Sequence, residues 1–100
     1  MTVHVNLRKL AKDQPCLIRV PGICNDRTDT TVLCHLRMVG LSGMGMKVPD
    51  VLGAFGCAKC HDEIDGRASG GFSAPERRLM LLEGIARTQM KLIEMGILKW

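Results

Sequence analysis

The segment 57–67, with the sequence CAKCHDEIDGR, constrains the fold of this chain more than any other segment. Cys57 and Cys60 form a C-x-x-C pair, and two thiolates at that spacing can bind one zinc ion. His61 and Asp65 are four residues apart, so a helix that starts near Cys60 places them on one face, one turn apart. An imidazole and a carboxylate on one face can bind a second, harder divalent metal. The segment therefore predicts a structural site and a chemical site side by side.

Length and composition limit the classes of protein to which the chain can belong. One hundred residues predict a single domain spanning 1–100. Fourteen Lys and Arg against ten Asp and Glu give a net charge of +4, which is compatible with nucleic-acid binding but does not establish it. The sequence shows no signal-peptide pattern and no apolar run of the ~18 residues that a membrane span needs. We therefore expect a cytoplasmic protein that makes no contact with a membrane.

The cysteines are interpreted first as metal ligands, because disulfides are rare in the cytosol. Cys16 and Cys24 lie on either side of a Pro-Gly turn signal at 21–22, which can bring their thiolates together. With Cys57 and Cys60 they would complete a tetrahedral zinc site. Such a site is structural, because four thiolates leave no open position for water or substrate.

Two other interpretations of the cysteines remain. The thiols can simply be buried and free, or the C-x-x-C pair can form a redox disulfide. The chain lacks the strand-helix-strand pattern expected around a thioredoxin-like C-x-x-C. The fifth cysteine, Cys34, faces away from His35 by strand alternation and is expected to be a small buried residue, although its competition for zinc stays open.

Hydrophobic patterning predicts a mixed chain that ends in a long helix. The predicted elements are a helical turn at 7–12, strands at 14–20 and 31–37, a short strand or turn at 51–56, a short helix at 60–65 that ends at Gly66, and a helix at about 74–95. A glycine-rich loop, 38–50, separates the second and third strands. Ser73 as N-cap, Pro75 in the first turn and Glu76 as capping-box partner predict the start of the long helix.

The long helix carries more apolar surface than one face needs. We expect one stripe to face the core, formed by Leu79, Leu82, Ala86, Ile93 and Ile97. Further apolar residues outside this stripe are Met80, Leu81, Ile85, Leu92 and Met95. A partner chain, such as a second copy in a homodimer, would cover the excess. A single well-covered helix is the alternative.

Three kinds of side chain in the sequence suit phosphodiester hydrolysis, which needs a base for water, a metal near the leaving oxygen and cations on the phosphate. In the strand 31–37, alternation places His35 and Arg37 on the same face. Neutral His35 can take a proton from water. A divalent ion on His61 and Asp65 can stabilise the leaving oxyanion. The candidate phosphate-binding cations are Arg37, Lys47 and Arg67.

These motifs together resemble those of the HNH endonucleases, also called ββα-metal or His-Me finger enzymes. The resemblance rests on CHLR at 34–37, GMKVPD at 45–50, the segment 57–67 and PCLIRVPGIC at 15–24. Within that superfamily the chain is similar to the small prophage-encoded nucleases of the YbcO type, over about residues 7–70. The resemblance implies an α+β fold, in which a zinc-stapled, treble-clef-like ββα core at about 14–67 is followed by the long helix.

The resemblance also implies roles for individual residues. His35 falls at the general-base position, His61 at a metal-ligand position, and Asp65 where a second ligand on the helix is often found. Magnesium or another divalent ion would be the catalytic metal, and DNA the substrate. Cys34 stands where many HNH enzymes carry Asp or His, and the middle Asn of the motif is not evident, with Asp50 in roughly its region.

Two functions follow from the sequence. The first is a prophage-derived, metal-dependent endonuclease with a structural zinc held by four cysteines. The second is a non-catalytic, zinc-stabilised module that binds nucleic acid or a protein. Net charge alone does not separate them.

Overall fold

A computed structural model describes residues 5–37, 48–67 and 70–100 of the chain. Lys47 and most of the predicted loop lie outside the described residues. The order of elements is helix α1 (Leu7–Ala11), a 3-10 helix (Thr28–Thr30), strand β1 (Val32–His35), a second 3-10 helix (Asp50–Leu52), strand β2 (Gly53–Gly56), helix α2 (Ala58–Ile64) and helix α3 (Ala74–Glu94). None of the described helices combines the length and the apolar composition needed to cross a bilayer.

The two strands form an antiparallel sheet that leads directly into α2. In its register Cys34 lies opposite Ala54, and His35 opposite Gly53. All four residues of β2 are buried, and Cys57 follows as the N-cap of α2, its Sγ accepting from the Cys60 N–H. The predicted α+β architecture, with a two-stranded sheet and a long C-terminal helix, is confirmed.

The predicted strand at 14–20 was wrong. The segment is irregular, although Leu17, Ile18 and Val20 are buried as a strand pattern would require. Arg19 has φ +56°, a left-handed conformation that breaks the extended path of the backbone. The carbonyls of Leu17 and Ile18 accept hydrogen bonds from the Arg87 guanidinium, at 2.7 and 3.1 Å, instead of from a neighbouring strand.

The start of α3 follows the sequence prediction. The Ser73 side chain accepts from the Glu76 N–H at 3.2 Å, and the Glu76 carboxylate accepts from the Ser73 N–H at 2.8 Å. This reciprocal capping box satisfies backbone N–H groups that otherwise lack partners. At the other end Met95 is the C-cap and Gly96, at φ +74°, turns the chain away.

The predicted core stripe of α3 was wrong over its first two-thirds. Leu79 is 57% exposed, Leu82 is 42% exposed and Ala86 is exposed as well, whereas only Ile93 and Ile97 pack against the core. The buried face of the helix consists of Leu81, Gly84, Ile85, Thr88 and Leu92.

Gly84 and Thr88 explain why this face is the buried one. A Cβ at Gly84 would lie 2.9 Å from the Ile18 side chain and 3.1 Å from its Cα, so the missing side chain lets α3 approach the segment before the turn at 20–24. The Thr88 hydroxyl accepts from the Phe55 N–H at 3.0 Å and donates to the Gly84 carbonyl at 2.7 Å. A pattern that scores only apolar side chains does not detect a face built around glycine and threonine.

The close approach at Gly84 predicts that Gly84→Ala destabilises the fold. Alanine improves helix propensity by about 1 kcal/mol, but overpacking against backbone costs about 1–3 kcal/mol. We expect urea unfolding to show a net loss of about 1 kcal/mol, because the Ile18 backbone has little freedom to yield. The control is Ala86→Gly on the exposed face, which measures propensity alone. A stabilised Gly84→Ala variant would contradict the tight contact.

Candidate functional site

The structure brings together the four cysteines that the sequence singled out as zinc ligands. The Sγ atoms of Cys16, Cys24, Cys57 and Cys60 all lie within 4.8 Å of one another, and those of Cys24 and Cys57 are 3.9 Å apart. The first pair is positioned by the turn at 20–24, where Gly22 has φ +73° and the Val20 carbonyl accepts from the Cys24 N–H. The second pair is positioned by the N-terminus of α2.

This cluster fits a metal ion in geometry and in charge. Four thiolates at the usual zinc–sulfur distance of roughly 2.3 Å form a tetrahedron with edges of about 3.8 Å. A hydrogen bond from Cys60 lowers the pKa of Cys16 to about 4, whereas that interaction and burial raise the pKa of Cys60. Burial raises the pKa of Cys24 to about 11. Without a metal, the cluster therefore favours the thiolate form of one cysteine. A bound cation is needed to stabilise four thiolates together. The four cysteines can hold a metal ion such as zinc.

Cys34 lies outside this cluster. Its side chain is buried, and burial raises the pKa of its thiol to about 12. Its sulfur is not one of the four that lie within 4.8 Å of one another. The structure therefore places Cys34 where the sequence expected it, in the core behind the sheet.

His35 forms a couple with Asp50. The His35 Nε2 and Asp50 Oδ1 atoms are 2.7 Å apart, and both side chains are partly exposed. The end of β1 positions His35, while the 3-10 helix that begins at Asp50 is held to the strand by a hydrogen bond from the Leu36 N–H to the Leu52 carbonyl. The hydrogen bond with His35 lowers the pKa of the Asp50 carboxyl, and the nearby Arg8 lowers it further.

His61 and Asp65 lie one turn apart on α2 and its C-cap, as the spacing predicted. The His61 Nε2 atom is 3.2 Å from Asp65 Oδ2, and the Arg67 Nη2 atom is 3.3 Å from the same oxygen. This oxygen is buried, yet neither contact has hydrogen-bond geometry, and it has no hydrogen-bond partner among residues 5–37, 48–67 and 70–100. A buried carboxylate oxygen beside an imidazole nitrogen is a suitable pair of ligands for a divalent metal.

A cleft of about 220 Å³ is lined by one residue of the His35–Asp50 pair and by one residue of the His61–Asp65 pair. His35 and Asp65 both line it, whereas His61 and Arg67 reach it only through their contacts with Asp65. Three guanidinium-bearing residues also line the cleft: Arg37, Arg77 and Arg78.

Arg77, Arg78 and the pairing of Asp50 with His35 were missed by the sequence reasoning. The two arginines follow the capping box within the first turns of α3, where the helix dipole disfavours cations. That unfavourable position was a usable signal of function. Arg77 is fixed by donating to the Phe72 carbonyl at 2.7 Å.

Comparison with known proteins identifies the family. Residues 5–97 match the sequence model of the family described as "Putative nuclease YbcO". The chain belongs to the YbcO family. YbcO relatives described as nucleases from Escherichia coli K12 and from Enterobacteria phage 82 are each 43% identical over 94 residues, which is 94% of this chain and 97% of the relative.

A solved structure is similar to most of this chain. It is described as a "putative bacteriophage protein" from Escherichia coli K-12, and it is 37% identical with a TM-score of 0.76. The match covers 91% of this chain and all of that one. The similarity to YbcO-type nucleases that the sequence motifs indicated is therefore confirmed at the level of the family.

Proposed function

We propose that this protein is a prophage-derived, metal-dependent DNA endonuclease of the HNH type. The observation that carries the proposal is the cleft lined by His35, which is paired with Asp50, by Asp65 and by three arginines. The nuclease descriptions of the YbcO family, and the phage source of one relative, support the same function.

His35 acts as the general base. With Nε2 donating its proton to the Asp50 carboxylate, the other ring nitrogen, Nδ1, carries the free lone pair. Nδ1 then takes a proton from the attacking water, and Asp50 stabilises the imidazolium that forms. This division of labour between the two nitrogens follows the logic by which a carboxylate fixes the tautomer of a catalytic histidine.

His61 and Asp65 would hold the catalytic divalent ion, with magnesium as the first candidate. The ion supplies a positive charge beside the leaving oxygen when it is bound. Magnesium commonly uses one or two protein ligands and keeps several waters, so this small ligand set is sufficient. Cys34 contributes none, because its side chain is buried in the core and does not line the cleft.

The arginines of the cleft bind the phosphate. Arg37 and Arg78 have no ion-pair partner within the described ranges, so their charges remain available to a polyanion. Arg67 does not line the cleft. Its guanidinium lies 3.3 Å from the Asp65 carboxylate and helps to hold that carboxylate in place. Lys47 stays a candidate phosphate ligand from the sequence.

The four-cysteine cluster holds a structural zinc. It joins the turn at 20–24 to the start of α2, and α2 carries His61 and Asp65. The zinc thus fixes the helix whose other end enters the cleft.

A cleavage assay tests the proposed activity. Purified protein should cut plasmid, branched or single-stranded DNA in magnesium or manganese, and excess EDTA should stop the reaction. DNA binding without cleavage in any divalent ion would replace this proposal with the non-catalytic binding module.

A second copy of the chain covers the exposed apolar stripe of α3, which consists of Leu79, Leu82, Ala86 and Met90. Leu79 and Met90 are more than half exposed, and monomeric proteins rarely expose contiguous apolar surface of this kind. A two-fold dimer buries the same face of both copies. Light scattering should give twice the 11.0 kDa of one chain, and Leu79→Glu should give the monomer. A wild-type mass of one chain at all concentrations would contradict the dimer.

A further inference from the structure

Asp50 contacts two side chains, the Arg8 guanidinium and the His35 imidazole. The Arg8 Nε atom lies 3.5 Å from Asp50 Oδ1, the same oxygen that lies 2.7 Å from His35 Nε2. Arg8 belongs to α1, which precedes all the motifs that carry the resemblance to the HNH enzymes. A chain of contacts therefore runs from α1 through one carboxylate oxygen to the proposed base.

Capping and packing of α1 hold the backbone of Arg8 in place. The Asn6 side chain caps α1 by accepting from the N–H groups of Arg8 and Lys9, at 3.1 and 3.2 Å. Leu7 and Ala11 are buried in the core cluster that contains Phe55 and against which Val51 packs. Because Val51 follows Asp50 in the 3-10 helix, the same packing fixes both ends of the Arg8–Asp50 contact.

We propose that Arg8 is a positioning residue that shares Asp50 with His35 and thereby extends the activity of the base to lower pH. The proposal rests on the function of His35 given above. Arg8 neutralises part of the Asp50 charge, so the carboxylate still orients the imidazole but attracts a second ring proton less strongly. Without Arg8, the full Asp50 charge acts on the imidazole, so the share of the protonated ring, which cannot act as a base, rises at a given acid pH.

The other charged groups around His35 stay the same when Arg8 is replaced. From the remaining walls of the cleft these are Arg37 after β1, Asp65 at the end of α2, and Arg77 and Arg78 on α3. Their summed effect on His35 is therefore common to the wild type and the variants. A difference in pH profile between the wild type and a variant at Arg8 therefore reports the Arg8–Asp50 contact.

The test compares Arg8→Gln, Arg8→Lys and Lys9→Gln in the full chain. Lys9→Gln is the matched control, because it removes the same charge from the neighbouring residue and Lys9 makes no ion pair within the described residues. The pH dependence of DNA cleavage is measured for each protein. We expect Arg8→Gln to move the acid limb of the profile upward by about half a pH unit, the effect of one unit charge some 6 Å away in a water-like medium.

Arg8→Lys should retain the wild-type profile, and Lys9→Gln should move it by less than half as much as Arg8→Gln. Equal shifts for Arg8→Gln and Lys9→Gln would overturn the proposal, because they would show a general effect of surface charge. No shift for Arg8→Gln would also overturn it.

An NMR titration of the His35 ring in the same proteins separates this inference from the proposed function. An upward shift of the His35 titration in Arg8→Gln, in a protein that cuts no DNA, supports the coupling and rejects the nuclease. Cleavage with an unchanged His35 titration supports the nuclease and rejects the coupling.

Discussion

His35→Ala is expected to lower the rate of divalent-metal-dependent DNA cleavage by about 10²–10⁴-fold, the usual contribution of a general base. The variant should keep its helical circular dichroism and its zinc content, because His35 is partly exposed and lies outside the cysteine cluster. Cleavage rates at saturating DNA, measured together with metal content, test both parts of this expectation.

Val32→Ala is the matched control for His35→Ala. Val32 lies on the same strand, is 41% exposed and does not line the cleft, so its truncation should leave cleavage within about twofold of the wild type. If His35→Ala cleaves DNA as fast as the control, His35 is not the base.

Cys57→Ser is expected to unfold the domain and to abolish zinc binding. Structural zinc contributes about 10–16 kcal/mol of apparent binding free energy that appears only in the folded state, and the total stability of a small domain is about 5–15 kcal/mol. Losing one of four ligands in a buried cluster should therefore remove most of the folding free energy. Circular dichroism and zinc analysis of the purified variant measure the effect.

Cys34→Ala is the control for the loss of a buried thiol. Cys34 is buried like Cys57 but is not one of the four clustered cysteines. This variant should retain one zinc per chain and lose only the few kcal/mol typical of a small core truncation, about 1–3 kcal/mol. A wild-type protein with no zinc, or a folded Cys57→Ser variant, would reject the structural zinc.

The features that sequence alone predicted depend on short-range rules. The capping box at Ser73 and Glu76 needs a spacing of three residues, and the contact between His61 and Asp65 needs one helical turn. The convergence of the two cysteine pairs required more, but a turn signal and a helix start were enough to predict it.

The features that sequence missed depend on contacts between distant segments. The partnership of His35 with Asp50 is set by the return of the chain after residues 38–47, and neither residue type reveals it. Gly84 determines which face of α3 is buried. Because it has no side chain, it leaves room for Ile18, which lies more than sixty residues earlier in the chain. The segment 14–20 has the composition of a strand, but only its Leu17 N–H bonds to β2, at the Phe55 carbonyl, while its Leu17 and Ile18 carbonyls bond to the Arg87 side chain.

Arg87 and Thr88 have a consequence for how the molecule opens. These neighbouring residues of α3 tie the Leu17 and Ile18 carbonyls and the Phe55 N–H to a single turn of helix. The turn at 20–24, β2 and the middle of α3 should therefore open as one cooperative unit in amide hydrogen exchange. Chelating the ion of the proposed zinc site should then accelerate exchange at Phe55, although its side chain packs with Leu7 and Ala11 of α1.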